Sequence, residues 1–84
     1  MPYFVYILQC ADGTLYTGYA NNLEKRLKEH NDSKRGARYT KIRRPVKLIY
    51  SEALETLSEA RRREEEIKSW PRERKLSLIK LGVK

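Results

Sequence analysis

Residues 4–18 read FVYILQCADGTLYTG, and this stretch decides the fold because it predicts a β-hairpin. Apolar and β-branched residues on both sides of an Asp-Gly pair are typical of two strands joined by a tight turn. We place the strands at about 3–9 and 14–19. Each strand carries one tyrosine, Tyr6 and Tyr16, so the turn determines whether the two rings share a face of the sheet.

The sequence allows two turns. A two-residue loop at Asp12-Gly13 places Tyr6 and Tyr16 on opposite faces, because side chains alternate along a strand. A three-residue loop at 11–13, with its glycine in the left-handed conformation, pairs Tyr6 with Gly18 and brings both tyrosines to one face. Gly18 would then leave open space beside Tyr6 for a backbone or a phosphate. A third interpretation needs no site, because strands favour aromatic residues in general.

The remaining elements follow from caps, breakers and periodicity. Asn21 and Glu24 have the spacing of a helix cap, and that helix should run to about residue 31. Thr56 and Glu59 form a second capping box, for a helix through about Lys68. The other predicted features are a basic loop at 31–45, a strand at 46–50, and, after Pro71, a helix at about 72–81 with Leu76, Ile79 and Val83 on its apolar stripe. The order is β-β-α-β-α-α, one small α/β domain over 1–84.

The composition limits the class of protein. With 84 residues and 39% hydrophobic residues, the chain has a thin core around a single sheet. No apolar run approaches the roughly 18 residues of a membrane span, and no signal peptide is visible. One cysteine, Cys10, and one histidine, His30, exclude an internal disulfide and a zinc site rich in these residues. We therefore expect a cytoplasmic monomer without a membrane partner.

Positive charge is concentrated in one third of the chain. Residues 24–47 contain ten Lys or Arg and three Asp or Glu, a net +7 of the chain's +8. Such clustering favours a nucleic-acid surface over an ordinary solvated face. The candidate nucleic-acid contacts are Gly18, Lys34, Arg35, Arg38, Tyr39, Lys41, Arg43 and Arg44.

Two charged residues lie at helical spacing from apolar positions. Arg26 shares a face with Leu27 and His30, at the edge of the buried stripe. Glu64 lies on the core-facing stripe of its own helix, and a carboxylate there needs a partner. The partner could be an arginine of the 61–63 run. Alternatively, Glu64 could bind a hard cation such as Mg²⁺, whose other ligands would be waters and a substrate phosphate.

Four segments together resemble the GIY-YIG nuclease family. The first motif is present as FVY (4–6), without the family's glycine, and the second as YTG (16–18), with threonine for isoleucine. NLEKRLKEHN (22–31) is similar to the family's arginine-bearing helix, and SEARRREEEIK (58–68) is similar to the helix with its metal-binding glutamate. The resemblance covers nearly the whole chain and is greatest to the small stand-alone bacterial members.

The resemblance implies a fold, a reaction and a role for each matching residue. The implied fold is a three-stranded antiparallel sheet flanked by helices, which requires the three-residue turn. The implied activity is metal-dependent cleavage of phosphodiester bonds, DNA being favoured over RNA, with a possible place in repair or recombination. The implied site has Tyr6 and Tyr16 as active-site tyrosines, Arg26 as phosphate clamp, His30 in support, and Glu64 as sole protein ligand of one Mg²⁺ or Mn²⁺ ion.

By the same resemblance, Tyr16 would be the general base for a water nucleophile, and Tyr6 would orient water or phosphate. Two other functions stay open. The chain could bind nucleic acid without cutting it, but binding alone does not need Glu64 beside a phosphate. It could also be an adaptor whose 58–68 helix docks on a protein partner, with Trp70 as the anchor, although Trp70 is expected to pack between the last two helices.

Overall fold

The computed structural model describes residues 2–32, 35 and 37–82 and contains the predicted three-stranded sheet. The strands, in the order β2-β1-β3, are antiparallel. In chain order the elements are β1 (Tyr3–Gln9), β2 (Leu15–Ala20), α1 (Leu23–Asp32), α2 (Arg38–Lys41), β3 (Lys47–Leu54), α3 (Leu57–Lys68) and α4 (Arg72–Gly82). The predicted order is confirmed, with the short helix α2 added. Within the described ranges, no helix has the length and apolar character needed to cross a membrane.

The hairpin has the three-residue turn. The Cys10 amide donates to the Thr14 carbonyl at 2.8 Å, and Gly13 has a φ of 86°. Only a residue without a Cβ adopts this left-handed backbone readily, so the glycine specifies the turn. Tyr6 consequently pairs with Gly18, and Tyr16, which pairs with Leu8, lies two pairs away on the same face.

Helices cover both faces of the sheet. On one face, Tyr6 and Leu8 pack against Leu23 and Leu27 of α1. On the other face, α3 and α4 cover the core, which consists of Val5, Ile7, Ala60 and Ile67 with Trp70, Leu78 and Ile79 at its margin. The two layers of helices place the residues of α1 and α3 on opposite sides of β1 and β2.

Two helices differ in detail from the prediction. The N-cap of α1 is Asn22 and not Asn21, since Asn22 Oδ1 accepts from the Lys25 amide at 3.1 Å. In α4, Leu76 is exposed, whereas Leu78 and Ile79 pack on the core. The predicted contribution of Val83 lies outside the described residues.

The region predicted as an irregular basic loop also differs. Helix α1 continues to Asp32, and α2 occupies the middle of the region. The Asn31 side chain accepts from the Val46 amide at 2.7 Å and donates to the Val46 carbonyl at 3.1 Å. These two bonds copy a backbone pair and fasten the end of α1 to the start of β3.

Helix α3 agrees with its predicted cap and stripe. Thr56 Oγ1 accepts from the Glu59 amide at 3.1 Å, as expected of a capping box. The Trp70 ring packs between Arg63 of α3 and Arg74 of α4, so the predicted place of Trp70 is confirmed. Trp70 therefore contacts its own chain and is a poor anchor for a partner protein.

Candidate active site

The two hairpin tyrosines converge on one histidine. The Tyr6 hydroxyl lies 2.9 Å from His30 Nε2. The Tyr16 ring meets the same imidazole edge-on, with ring centroids 5.1 Å apart. His30 is 0% exposed, and it reaches the sheet from the buried face of α1. The shared strand face, which the three-residue turn determines, and the helical stripe of α1 produce this convergence.

A second residue holds His30 from the other side. Thr40 Oγ1 on α2 lies 2.7 Å from His30 Nδ1, and it donates to the Ala37 carbonyl at 2.9 Å. Tyr39, next to Thr40, stacks on Tyr16 with ring centroids 5.9 Å apart. The short helix α2 therefore contacts both members of the Tyr16–His30 pair.

Burial determines the protonation of Tyr6 and His30. Burial raises the pKa of Tyr6 to about 12, although the neighbouring Arg26 guanidinium opposes the rise. Burial, together with the positive charge of Arg26, lowers the pKa of His30 to about 4. At neutral pH, Tyr6 is consequently a phenol and His30 a neutral imidazole.

Arg26 extends from α1 toward the tyrosines. Its Nη1 donates to Glu29 Oε1 at 3.0 Å and to the Arg35 carbonyl at 2.9 Å. The hydrogen bond from Arg26 holds the pKa of the Glu29 carboxyl below its usual range. These contacts hold the guanidinium in one orientation, although 29% of the side chain is exposed to solvent. A guanidinium held in this way can present further donors to an oxygen of a phosphate.

Glu64 reaches the site from α3 on the opposite face of the sheet. Its side chain is 13% exposed, and Oε2 lies 3.4 Å from the Nζ of Lys68. The predicted alternative of an ion pair within 61–63 is wrong, since Arg63 instead pairs with Glu52 and Glu66. Among the described residues, the only ion pair of the Glu64 carboxylate is this long contact with the exposed side chain of Lys68.

A cleft of about 280 Å³ brings four of the five predicted catalytic residues together. Its walls are formed by Tyr6, Tyr16, Gly18, Tyr19, Arg26 and Glu64. Since β2 is an edge strand, side chains from the two faces of the sheet can meet at its outer side. His30 does not line the cleft and acts on it only through its contacts with the two tyrosines.

Gly18 has a different use from the predicted one. A Cβ at this position would lie 2.5 Å from the Tyr6 hydroxyl oxygen and 3.2 Å from the Tyr16 ring. The space predicted to be open for a phosphate is therefore filled by Tyr6, and that part of the prediction is wrong. The glycine lets the Tyr6 ring cross β2 and reach the cleft.

The donor set is suited to one hard cation. Among the described residues, no group of three or more His, Cys, Asp or Glu side chains is close enough to form a metal cage. The Glu64 carboxylate nevertheless lines an open, polar cleft beside Arg26. Mg²⁺ and Mn²⁺ accept a single carboxylate when waters and a phosphate complete the coordination. The residues present fit such an ion.

The predicted nucleic-acid contacts divide into two groups. Arg35, Arg38, Tyr39 and Lys41 are exposed, whereas Arg43 and Arg44 are half-buried, and Lys34 lies outside the described residues. Arg43 donates to Asp12 at 3.1 Å and covers the Tyr39 ring. Arg44 donates to the His30 carbonyl at 2.6 Å and to the Glu29 carbonyl at 3.2 Å. Both half-buried arginines thus bind other parts of the chain.

Sequence reasoning missed two residues of the site. Tyr19 lines the cleft, although strand alternation places it on the face opposite to Tyr16. The expectation that β2 is an edge strand, where side chains from both faces can meet, would have identified Tyr19. Thr40 was missed because α2 has no periodicity to reveal it, and no sequence signal marks a threonine that will contact a distant histidine.

Comparison with known proteins identifies the family of the chain. The model of the GIY-YIG catalytic domain matches residues 2–77. The chain is 55% identical over 80 residues to the UPF0213 protein SSP2268 of Staphylococcus saprophyticus, covering 95% of this chain and 96% of that protein. A UPF0213 protein of Staphylococcus aureus strain Mu3 is 56% identical over 78 residues, covering 93% and 94% of the two chains.

Two solved structures have the same fold. The solution NMR structure of the UPF0213 protein BH0048 from Bacillus halodurans is 42% identical, with a TM-score of 0.63 over 99% of this chain and 88% of that chain. The solution NMR structure of EF2693 from E. faecalis is 41% identical, with a TM-score of 0.66 over 96% and 85%. Because the family model spans most of the sequence, the chain belongs to the GIY-YIG catalytic domain family.

Proposed function

We propose that this protein is an endonuclease that hydrolyses phosphodiester bonds of nucleic acid, with DNA as the favoured substrate. The observation that carries the proposal is the shared cleft of Tyr6, Tyr16, Arg26 and Glu64. These residues come from four separate elements, β1, β2, α1 and α3. Membership of a family described as a catalytic domain supports the same reaction. The protein would act as a cytoplasmic monomer, in a process such as DNA repair.

The charged residues would hold the scissile phosphate. Arg26, fixed by Glu29 and the Arg35 carbonyl, would donate to a nonbridging oxygen and offset the charge that develops there. Glu64 would hold one divalent cation, Mg²⁺ or Mn²⁺, which when bound supplies positive charge to the phosphate and the leaving 3′-oxygen. Lys68, whose Nζ is 3.4 Å from Glu64, is exposed and can move away when the carboxylate is engaged.

The tyrosines would act on the attacking water. Tyr6 keeps its proton at neutral pH, because burial raises its pKa to about 12. It is therefore suited to orienting the water, not to taking its proton. Tyr16 would act as the general base that takes this proton while the water oxygen bonds to phosphorus and the bond to the 3′-oxygen breaks. Direct attack by a tyrosine is less favoured, since it would need a second hydrolytic step.

The test is a cleavage assay on labelled DNA and RNA, in single-stranded, duplex, nicked, flapped and branched forms. Each substrate is incubated with Mg²⁺, with Mn²⁺ or with a chelator. We expect cation-dependent cutting that falls by at least about 100-fold in Glu64→Gln and in Tyr16→Phe, since each removes a group that acts in the transition state. Glu65→Gln is the matched control, because it makes the same change at an exposed neighbour on α3.

Two results would contradict the proposal. Equal activity of Glu64→Gln and Glu65→Gln would remove Glu64 from the reaction. Absence of cutting on every substrate, together with salt-sensitive binding that Glu64→Gln leaves unchanged, would identify a binding protein that keeps the fold without catalysis.

A further inference from the structure

A directional chain of hydrogen bonds passes from α2 to the cleft. It joins the Ala37 carbonyl, Thr40 Oγ1, the two nitrogens of His30 and the Tyr6 hydroxyl, with separations of 2.9, 2.7 and 2.9 Å. Thr40 and His30 are both 0% exposed, and Tyr6 is 2% exposed. Water does not compete for these bonds, so their direction is determined by the groups themselves.

The direction of the first bond determines the others. A carbonyl oxygen can only accept, so the bond to Ala37 uses the one proton of the Thr40 hydroxyl. Thr40 Oγ1 must therefore accept at its contact with His30, and Nδ1 must carry the imidazole proton. A neutral imidazole has only one such proton, so Nε2 is an acceptor and the Tyr6 hydroxyl donates to it.

We propose that Thr40 is a positioning residue which fixes His30 as the Nδ1–H tautomer and thereby aims the Tyr6 proton away from the cleft. The lone pairs of the Tyr6 oxygen then face the cleft and the Arg26 guanidinium, and on that side this oxygen can only accept hydrogen bonds. An acceptor selects a donor such as the attacking water and disfavours a phosphate oxygen. This choice between water and phosphate rests on the proposed function, whereas the tautomer does not.

Without the Thr40 hydroxyl, His30 could adopt either tautomer. In the Nε2–H form, His30 would donate to Tyr6, and the Tyr6 proton would turn toward the cleft. Tyr6 would then repel the hydrogen of an incoming water. Tyr6 itself cannot prevent this change of the His30 tautomer, since a hydroxyl donates to Nε2 or accepts from it equally well.

The tautomer can be measured directly, because His30 is the chain's single histidine. In ¹⁵N-labelled protein at pH 7, we expect an imidazole spectrum with a protonated Nδ1 and an unprotonated Nε2. Thr40→Ser keeps the hydroxyl and should keep this spectrum. Thr40→Val, which replaces the hydroxyl with a methyl group, should produce a mixture or the Nε2–H form. Tyr6→Phe should leave the Nδ1–H tautomer in place.

Several results would overturn the proposal. An Nε2–H tautomer in the unmodified protein would do so even if every variant failed to fold. An unchanged spectrum in a folded Thr40→Val variant would assign the tautomer to another group. If the protein cuts nucleic acid, Thr40→Val should lower the rate by about tenfold or more and Thr40→Ser should restore it. If the spectra are as expected but the protein does not cleave nucleic acid, only the nuclease function is contradicted.

Discussion

A side chain at position 18 would collide with the tyrosines of the cleft. The Cβ of an alanine there would lie 2.5 Å from the Tyr6 hydroxyl oxygen and 2.7 Å from its Cζ. Tyr6 cannot swing aside freely, because its ring is buried and its hydroxyl is bonded to His30. The backbone conformation at position 18 does not require glycine, because among the described residues only Gly13 has a left-handed φ.

Gly18→Ala should therefore destabilise the fold by about 1–3 kcal/mol, as overpacking does, and displace Tyr6 from His30. Urea unfolding measures the first effect, and the His30 imidazole spectrum reports the second. In a Tyr6→Ala background the same substitution should have almost no effect, because the colliding ring is gone. A full loss of stability in both backgrounds would show that the collision with Tyr6 is not the cause.

Gly13→Ala provides a contrast of mechanism. The added Cβ would meet no atom within 4 Å, but the backbone at position 13 has a φ of 86°. The substitution should therefore lower the stability by about 1–2 kcal/mol through backbone strain. That loss should be independent of Tyr6.

His30 couples stability to pH. Its pKa of about 4 in the folded chain lies below the 6.5 of an ordinary histidine, so between these values the unfolded chain binds a proton that the folded chain does not. The stabilisation present above pH 6.5 is consequently lost as the pH falls through about 4. The loss should reach about 3 kcal/mol at most, since one pKa unit corresponds to about 1.4 kcal/mol.

Urea unfolding between pH 7 and pH 4.5 measures this loss, with His30→Gln as the control because it removes the titrating group. We expect a shallower pH dependence in the variant, leaving only the carboxylates. The His30 ring resonances should titrate near pH 4 in the unmodified protein. A titration midpoint near pH 6.5 would show that the pKa of His30 is not lowered in the folded chain.

At the scale of elements, local rules predicted those parts of the fold that local interactions stabilise. The α3 cap follows from the spacing of Thr56 and Glu59. For the hairpin, local rules left two turns open, and only the resemblance to the family fold favoured the three-residue turn that the structure has. The stripe on α4 was misplaced because apolar residues occur on two sides of that helix. Packing on the sheet selects Leu78 and Ile79, and only the assembled core makes that selection.

Helix α2 is the opposite case. Four residues are too few to form a helix by themselves, because nucleation is unfavourable. Its neighbours hold it instead: Thr40 is bonded to His30, and Arg43 joins the Tyr39 carbonyl to Asp12 in the hairpin turn. Two of these bonds, Thr40 to His30 and Arg43 to Asp12, join residues distant in sequence. The sequence therefore predicted the tyrosines, arginine and glutamate of the cleft, but not the element that supports them.

At the scale of the whole molecule, positive charge has two uses. Residues 24–47 carry most of the net charge of +8, which attracts a polyanion from a distance. Some of these cations are nevertheless bound to their own chain. Arg44 donates to two carbonyls at the end of α1, where a cation also interacts favourably with the helix dipole. Arg38, on α2, is exposed.

Arg38→Gln and Arg44→Gln remove the same charge and should have separate effects. For Arg38→Gln we expect an unchanged free energy of unfolding and a salt dependence of DNA binding that is weaker by about one unit of slope, as for the loss of one phosphate contact. For Arg44→Gln we expect a stability loss of about 1–3 kcal/mol, because two carbonyls lose a charged donor. Its salt slope should change little.

The measurements are urea unfolding and fluorescence anisotropy of a labelled oligonucleotide at several salt concentrations, for both variants and the unmodified protein. A weaker slope without loss of stability in Arg44→Gln would mean that Arg44 leaves the carbonyls to bind phosphate. Equal slopes in Arg38→Gln and the unmodified protein would exclude Arg38 from the nucleic-acid surface. Because the pair is matched in charge, a difference between the variants depends on where each arginine lies and not on the net charge.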